Sequence, residues 1–331
     1  MLRAIDHQRD RLGDQYGVEL SVVALATRRD GFVHRDAGIE ITEALAVRES
    51  GAPLEALARV SAWPDALSGL RATETDVLVE VSQSPETDGE PGVSHLREAL
   101  RRGISVATSN KWPVALCGVE LTRLAARHGA CLRAESTVMS GTPVLAALTD
   151  GLGGATPLRL RGVLNATVNH ICSRLGEGVA YADALAEAQR LGLAEPDPSA
   201  DVDGFDSAAK VMVLAALVFG VQLELGDVER HGISAIAADD LAAARAGRRR
   251  IKEVATLDPR TGGASVQPLA VAPEDPLFVV EGTTNAIHLE ADPIGEISIT
   301  GPGAGPELAG QGVFADLIAL ARRCVERSRP G

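Results

Sequence analysis

Between Ala194 and Gly220 the chain reads AEPDPSADVDGFDSAAKVMVLAALVFG, its densest set of side chains able to do chemistry. Glu195, Asp197, Asp201, Asp203 and Asp206 fall among prolines, a serine and a glycine in the first half. Short polar side chains bond nearby backbone groups, so this composition suits turns and a helix entry. From Ser207 on the residues are apolar apart from Lys210, long enough for a helix buried nearly all round. Asp206 and Lys210 are four residues apart, which sets a carboxylate beside an ammonium on one helical face. A cation held in this way can stabilise negative charge growing on a substrate oxygen and hand that oxygen a proton. The same pattern also describes a capped helix with a surface ion pair and a snorkelling lysine. On these residues alone both alternatives stay open.

The elements that must position such a pair begin with the totals. A chain of 331 residues suggests two domains. Apolar residues make up 45% and aromatics only 3%, so the core has to be built from Ala, Val and Leu. The formal charge is −13, and no run of Lys or Arg exceeds Arg248-Arg249-Arg250, which argues against a nucleic-acid partner. Cys117, Cys131, Cys172 and Cys324 have no metal or disulfide spacing and read as reduced thiols. The longest apolar run, Val211 to Val221, is too short to cross a bilayer. These features predict a cytoplasmic protein with neither nucleic acid nor membrane as partner.

Leu2 to Tyr16 reads as a helix closed by Gly17. Val18–Ala26, Asp76–Ser82, Gly103–Thr108 and Gly129–Ala134 read as buried strands. Helical pieces fall between them at Ile41–Arg48, Leu54–Val60, Val93–Arg102 and Val114–His128. Alternation of this kind predicts an α/β fold, a Rossmann-like parallel sheet with ligands beyond the carboxyl ends of its strands. Such folds open with a strand, Gly-x-Gly-x-x-Gly and a helix. This chain opens inside what reads as that helix, so the first strand and glycine loop are absent. The expectation is that the start lies upstream of Met1 or that part of the cofactor site is lost. From Ser140 the pattern changes to an α+β one. Thr142–Leu148, Val168–Leu175, Tyr181–Leu191 and Asp239–Ala246 read as helices. Leu158–Leu164, Arg250–Leu257, Ser265–Ala270, Phe278–Val280, Ala286–Glu290 and Ile297–Thr300 read as strands of an antiparallel or mixed sheet. A last helix runs from Val313 to Arg327.

Five blocks in order carry a resemblance that spans nearly the whole chain. They are Asp76–Ser82 with ETDGEPG at 86–92, ATSNK at 107–111, ESTVMSGTP at 135–143, LNATVN at 164–169, and the acidic stretch with Lys210. Gly301-Pro-Gly-Ala-Gly305 adds a weaker sixth. Together they resemble the homoserine dehydrogenases. The resemblance implies an enzyme interconverting L-aspartate 4-semialdehyde and L-homoserine with NAD(P)H, on the route to threonine, methionine and isoleucine. It implies a nucleotide domain at 1–136, a substrate and dimerisation domain at 137–300, and a segment at 301–331 returning to the first domain. A homodimer follows from the same source. So does the lack of a threonine-sensing domain, since the chain ends soon after Gly305.

Residue by residue, the resemblance makes Lys210, Lys111 and Asp206 catalytic candidates. It places Glu195, Asp201 and Thr167 against the substrate, with the acidic side chains clamping its ammonium. Ser82, Lys111, Gly303 and Gly305 would meet the cofactor. Arg28 and Arg29 follow a strand that normally ends in an acidic ribose-binding residue, and arginines there accommodate a 2′-phosphate. NADP is therefore the expected cofactor, with NAD the alternative. Glu135, Val138, Ser140 and Thr142 match a turn that holds a monovalent cation such as sodium, or serves as a hinge. Two departures from the family pattern are Met139 and Ala166, each where glycine is usual. Other functions compatible with the sequence are a catalytically silent binding protein of this descent and a dehydrogenase for another small amino-acid aldehyde.

Overall fold

The computed structural model describes residues 1–328 and divides them into two units, each with its own sheets. The first comprises Met1–Pro113, Glu120–Ala134 and the chain from Gly310 on; the second comprises Val114–Val119 and Glu135–Ala309.

In the first unit the opening helix is broken at Gln8 into α1 (Leu2–His7) and α2 (Arg9–Tyr16). Gly17 ends it in the left-handed region at φ 62°, with its amide bonded back to Gly13. The strand expected at 18–26 is correct only at its end. β1 (Ala24–Thr27) does not join a parallel sheet but pairs antiparallel with β2 (Gly31–His34). Turn chemistry accounts for this difference. The Thr27 hydroxyl donates to Asp30 Oδ2 at 2.9 Å and accepts from the Asp30 amide at 2.9 Å, and Gly31 has φ +69°. A Cβ at Gly31 would meet the Trp63 carbonyl at 2.6 Å, so only glycine closes the hairpin there. After α3 (Ile41–Ser50), β3 (Ser61–Trp63) completes this meander in the order β1-β2-β3. The helix expected over 54–60 shrinks to one short turn at Leu54–Ala56. α4 (Ala66–Ala72) follows, its entry capped by Asp65, which accepts from the Ser68 amide.

The parallel sheet consists of β4 (Val77–Glu80), β5 (Ser105–Thr108) and β6 (Leu132–Arg133) in that order. α5 (Gly92–Arg101) and α6 (Lys111–Arg127) are the crossovers. Every residue of β5 is buried, as befits a strand covered on both faces. The last helix, Pro306–Ser328, brings Val313 and Leu320 against Ala107, and Phe314 and Leu317 against Ile5 and Leu12. No strand precedes α1 among the described residues.

The second unit begins with the short helices α7 (Ser136–Met139) and α8 (Val144–Ala146), then β7 (Thr156–Val163). Four helices follow: α9 (Ala166–Glu177), α10 (Tyr181–Arg190), α11 (Ser199–Val202) and α12 (Phe205–Leu214). A π-helical turn, Ala215–Phe219, prolongs α12 until Gly220 stops it at φ +67°. Next come β8 (Val228–Arg230), α13 (Ala238–Ala246), β9 (Arg250–Asp258), β10 (Gly263–Val271), β11 (Thr284–Asp292) and β12 (Gly295–Pro302). The six strands lie in the order β12-β11-β7-β9-β10-β8, all antiparallel except the β8–β10 pair. α9 and α12 pack on β9. Residues 278–280, expected as a strand, form part of a tight turn instead. Asp275 caps it by accepting from the Leu277 amide, and Pro276 at its first position has no N–H to give a ladder. β12 also runs through Gly301 and Pro302, so the first part of the glycine-rich turn is strand. All four cysteines are free, and no helix among the described residues is long and apolar enough to cross a membrane.

Candidate active site

α12 enters from Gly204, which is left-handed at φ +78°, and places Asp206 in its first turn with Lys210 one turn later. The flanking Ser207, Ala208, Ala209 and Val211 are buried, so the Lys210 stem is surrounded and only 9% of the residue is exposed. Its ammonium donates to the Leu164 carbonyl at 2.7 Å and pairs with Asp206 Oδ2 at 2.8 Å. Those two acceptors offset the water it has lost, and an ammonium has three protons to donate. The third has no partner among the described residues.

Leu164 sits where β7 hands over to α9, and Asn165 caps that helix. Asn165 Oδ1 accepts from the Val168 amide at 3.0 Å, while Nδ2 donates to Asp201 at 2.7 Å and to Asp206 at 3.2 Å. One amide thus holds two like-charged carboxylates together. Asn285 of β11 donates to the same Leu164 carbonyl at 2.6 Å. Beneath the pair, Glu253 of β9 accepts from the Ser207 hydroxyl at 2.5 Å. Burial pushes its carboxyl up to about 8; the Ser207 bond and Lys210 pull the other way, and the charges of Asp206 and Asp201 push it higher.

The remaining substrate candidates are placed differently. Glu195 is exposed in the loop before α11 and makes none of the cluster's side-chain bonds; its carbonyl accepts from Gln189. Thr167 is buried, and its hydroxyl donates to the Leu193 carbonyl at 2.7 Å. Expected at the substrate, that hydroxyl instead ties α9 to the chain after α10. Asp197 caps its turn by accepting from the Ser199 amide, and the Ser199 hydroxyl and amide hold it below the ordinary carboxylate range.

Glu135, Val138, Ser140 and Thr142 form a tightly bonded turn. The two Glu135 oxygens accept from the Leu145 and Ala146 amides, each at 2.7 Å, and so cap α8. Val138 is buried. Ser140, at φ +51°, donates to the Gly303 carbonyl at 3.0 Å, and Thr142 donates to the Pro302 carbonyl at 3.0 Å. The Glu135 carboxylate and the Ser140 and Thr142 hydroxyls are thus engaged with the protein. Among the described residues no group of three or more His, Cys, Asp or Glu side chains could hold a metal. A Cβ on Gly303 would lie 2.1 Å from the Asn285 amide, so close packing inside this unit demands that glycine. Gly305 has φ +134°, a second position where side chains are strained.

The other candidates belong to the first unit. Lys111 is half-buried and opens α6 directly after β5. Before it, the Asn110 amide donates to Thr108 Oγ1 and its side chain to Ser84 Oγ at 2.8 Å. Ser82 follows β4, with its hydroxyl and its amide both donating to Glu80 Oε1. Glu80 is buried, with His95 Nδ1 at 3.9 Å. Burial pushes Glu80 up, yet the polar groups of His95, Ser82 and Asn110 beside it outweigh burial and hold the carboxyl below its ordinary range. Arg28 and Arg29 are exposed in the turn between β1 and β2, and neither has an ion-pair partner among the described residues.

Several participants were not legible in the sequence. Asn165 falls in the LNATVN block, and an Asn between a strand and a helix is also an N-cap pattern. Glu253, Glu80 and Asn285 are polar residues at inward positions of strands, where a partner is required. The Leu164 carbonyl has no side-chain signature at all.

With this geometry in place, the comparisons with known proteins are consistent with one another. The homoserine dehydrogenase family profile matches residues 143–318. A homoserine dehydrogenase of Sulfurisphaera tokodaii is 38% identical over 261 residues, which is 79% of this chain and 82% of that one. An NAD(+)-dependent homoserine dehydrogenase of Pseudomonas canavaninivorans is 36% identical over 248 residues, 74% of this chain and 70% of that one. The solved structure of a hyperthermophilic archaeal homoserine dehydrogenase in complex with NADPH superposes with a TM-score of 0.80 at 32% identity. That match covers 97% of this chain and 93% of the other.

Proposed function

The chain belongs to the homoserine dehydrogenase family, and from that premise we propose how its residues interconvert L-aspartate 4-semialdehyde and L-homoserine. The observation that carries the mechanism is the Lys210 ammonium, fixed between Asp206 and the Leu164 carbonyl with one proton left to give. In the reducing direction a hydride adds to the aldehyde carbon, and the carbonyl oxygen must gain a proton to become the alcohol. Lys210 stabilises the charge growing on that oxygen and supplies the proton; Asp206 keeps the ammonium oriented. Asp201, steadied by Asn165, and the exposed Glu195 provide the anionic surface that the substrate ammonium needs. In the opposite direction the same lysine takes the proton from the alcohol.

A nicotinamide cofactor supplies the hydride when bound. The first unit is the candidate nucleotide domain and 137–300 the candidate substrate and dimerisation region. Ser82 and Lys111 stand just beyond the carboxyl ends of β4 and β5, the edge where parallel sheets take ligands. The unspent guanidiniums of Arg28 and Arg29 suit the 2′-phosphate of NADP. Gly303 and Gly305 remain candidates to approach the cofactor through their backbone. No Gly-x-Gly-x-x-Gly turn occurs in residues 1–23, and no step here is routed through one. Nor is any step routed through a sodium ion, given the partners of Glu135, Ser140 and Thr142. A cytoplasmic homodimer completes the proposal, by analogy with the family.

The test is oxidation of NADPH by aspartate semialdehyde with the purified chain. Sustained turnover that falls when the aldehyde is shortened or lengthened by one carbon is the expected result. Folded protein that turns over none of the three contradicts the proposal.

A further inference from the structure

We propose that Glu253 is a positioning residue for this reaction: acting through Ser207, it sets the first turn of α12 and with it the Asp206–Lys210 pair. The proposal rests on the catalytic reading of Lys210 given above. Its basis is where the side chain lies. Glu253 rises from β9, is 2% exposed, and meets α12 at the one residue next to Asp206 that can donate a hydrogen bond to it. An apolar residue at 253 would leave the buried Ser207 hydroxyl without that acceptor. Glu253 Oε2 lies near Gly204, at 3.7 Å from where a Cβ there would stand, and has no hydrogen-bond partner among the described residues.

A carboxylate with a single donor is poorly supported as an anion, and the groups around it make the charge costlier. Asp206 faces it from α12 and Asp201 from α11, while Lys210 is the compensating cation. The Cys172 thiol, from α9, is pushed up to about 12 by burial and then by Glu253, and stays neutral. Lys252 precedes Glu253 on β9 and donates elsewhere, to Asn169 and the Val280 carbonyl. Glu253 is therefore a neutral acid at neutral pH and ionises near 8. Below that pH it fixes Ser207 without adding a third negative charge beside Asp201 and Asp206. Above it, the new anion repels both aspartates and draws Lys210 off the Leu164 carbonyl, so turnover falls.

The experiment is the pH dependence of kcat for aspartate semialdehyde reduction by the full chain and four variants. Glu253→Leu and Ser207→Ala are expected to lower kcat about tenfold on the acid side, with KM within about twofold. Glu253→Gln, which keeps a neutral acceptor for Ser207, restores kcat there and moves the alkaline limb up by about one pH unit or more. Ser207→Ala decides the matter if changes at 253 impair folding, because it cuts the same bond and leaves Glu253 in place. Full turnover by Ser207→Ala, or a Glu253→Gln profile superimposed on that of the parent, overturns the proposal. Lys210→Ala run beside them separates the two failures. An active Lys210→Ala removes the catalytic reading itself. An inactive one, with the 207 and 253 profiles unmoved, removes only the role of Glu253.

Discussion

Two buried glutamates, one in each unit, face opposite fates. Glu80 closes β4 and is 4% exposed; Glu253 lies in β9 and is 2% exposed. Burial alone raises both carboxyls. Glu80 accepts from both the hydroxyl and the amide of Ser82, with His95 and Asn110 beside it, and together they outweigh burial, so it remains an anion. Glu253 has the Ser207 hydroxyl alone, with Asp206 and Asp201 nearby, and it holds its proton. Depth does not set the charge of a buried acid; the count of donors and the sign of its neighbours do. In the first unit a fixed anion stands at the edge of a parallel sheet. In the second, the charges beside the neutral acid are those of Lys210, Asp206 and Asp201.

The hardest way to break this contrast is Asp206→Ala. It leaves the Lys210 ammonium nine-tenths buried with only the Leu164 carbonyl. Turnover is expected to drop by roughly 10²-fold or more, and unfolding free energy by roughly 3 kcal/mol. Steady-state rates and denaturant titration measure the two effects.

Glutamine at each buried acid sharpens the contrast. Glu80 has a folded value below its unfolded one, so its contribution to stability is present above about 4.5 and is lost as pH falls through the folded value. Glu80→Gln should therefore cost about 1.5–3 kcal/mol at neutral pH, a deficit that closes in acid. Glu253 has a raised folded value, so stability is greatest below its unfolded value and is lost as pH rises to about 8. Glu253→Gln should gain on the parent progressively over that interval and hold its advantage above it. Melting temperatures of the three proteins from pH 4 to 9 give the curves, which must diverge in opposite senses.

A smaller effect is expected in the β1–β2 turn. Replacing Arg28 and Arg29 together by Ala should raise KM for NADPH by about tenfold and leave that for NADH nearly unchanged. Kinetics with the two cofactors distinguish this from a general loss of binding.

Much of the site was legible because it is local in sequence. Asp206 and Lys210 are one helical turn apart, so their pairing follows once α12 is recognised. The helix end at Gly17 was legible for a similar reason, since a left-handed glycine closing a helix is a local event. Non-local partners were hidden. Leu164, Asn285 and Glu253 come from separate elements of the second unit, and only its topology gathers them around Lys210. Residues 18–26 read as a strand of the parallel sheet, but buried apolar character does not say which partner a strand will take. There the Thr27–Asp30 turn decided for a hairpin. Thr167 matched a motif, but its hydroxyl was already committed to the Leu193 carbonyl.

In the proposed mechanism the Lys210 ammonium delivers the proton to the substrate oxygen. The most direct test of that step is single-turnover oxidation of NADPH by aspartate semialdehyde in Lys210→Met, with NADPH affinity measured on the same protein. A rate lower by roughly 10²–10⁴-fold, at unchanged cofactor affinity and melting temperature, is the result predicted. A rate within about threefold of the parent would contradict it and remove Lys210 from the chemistry.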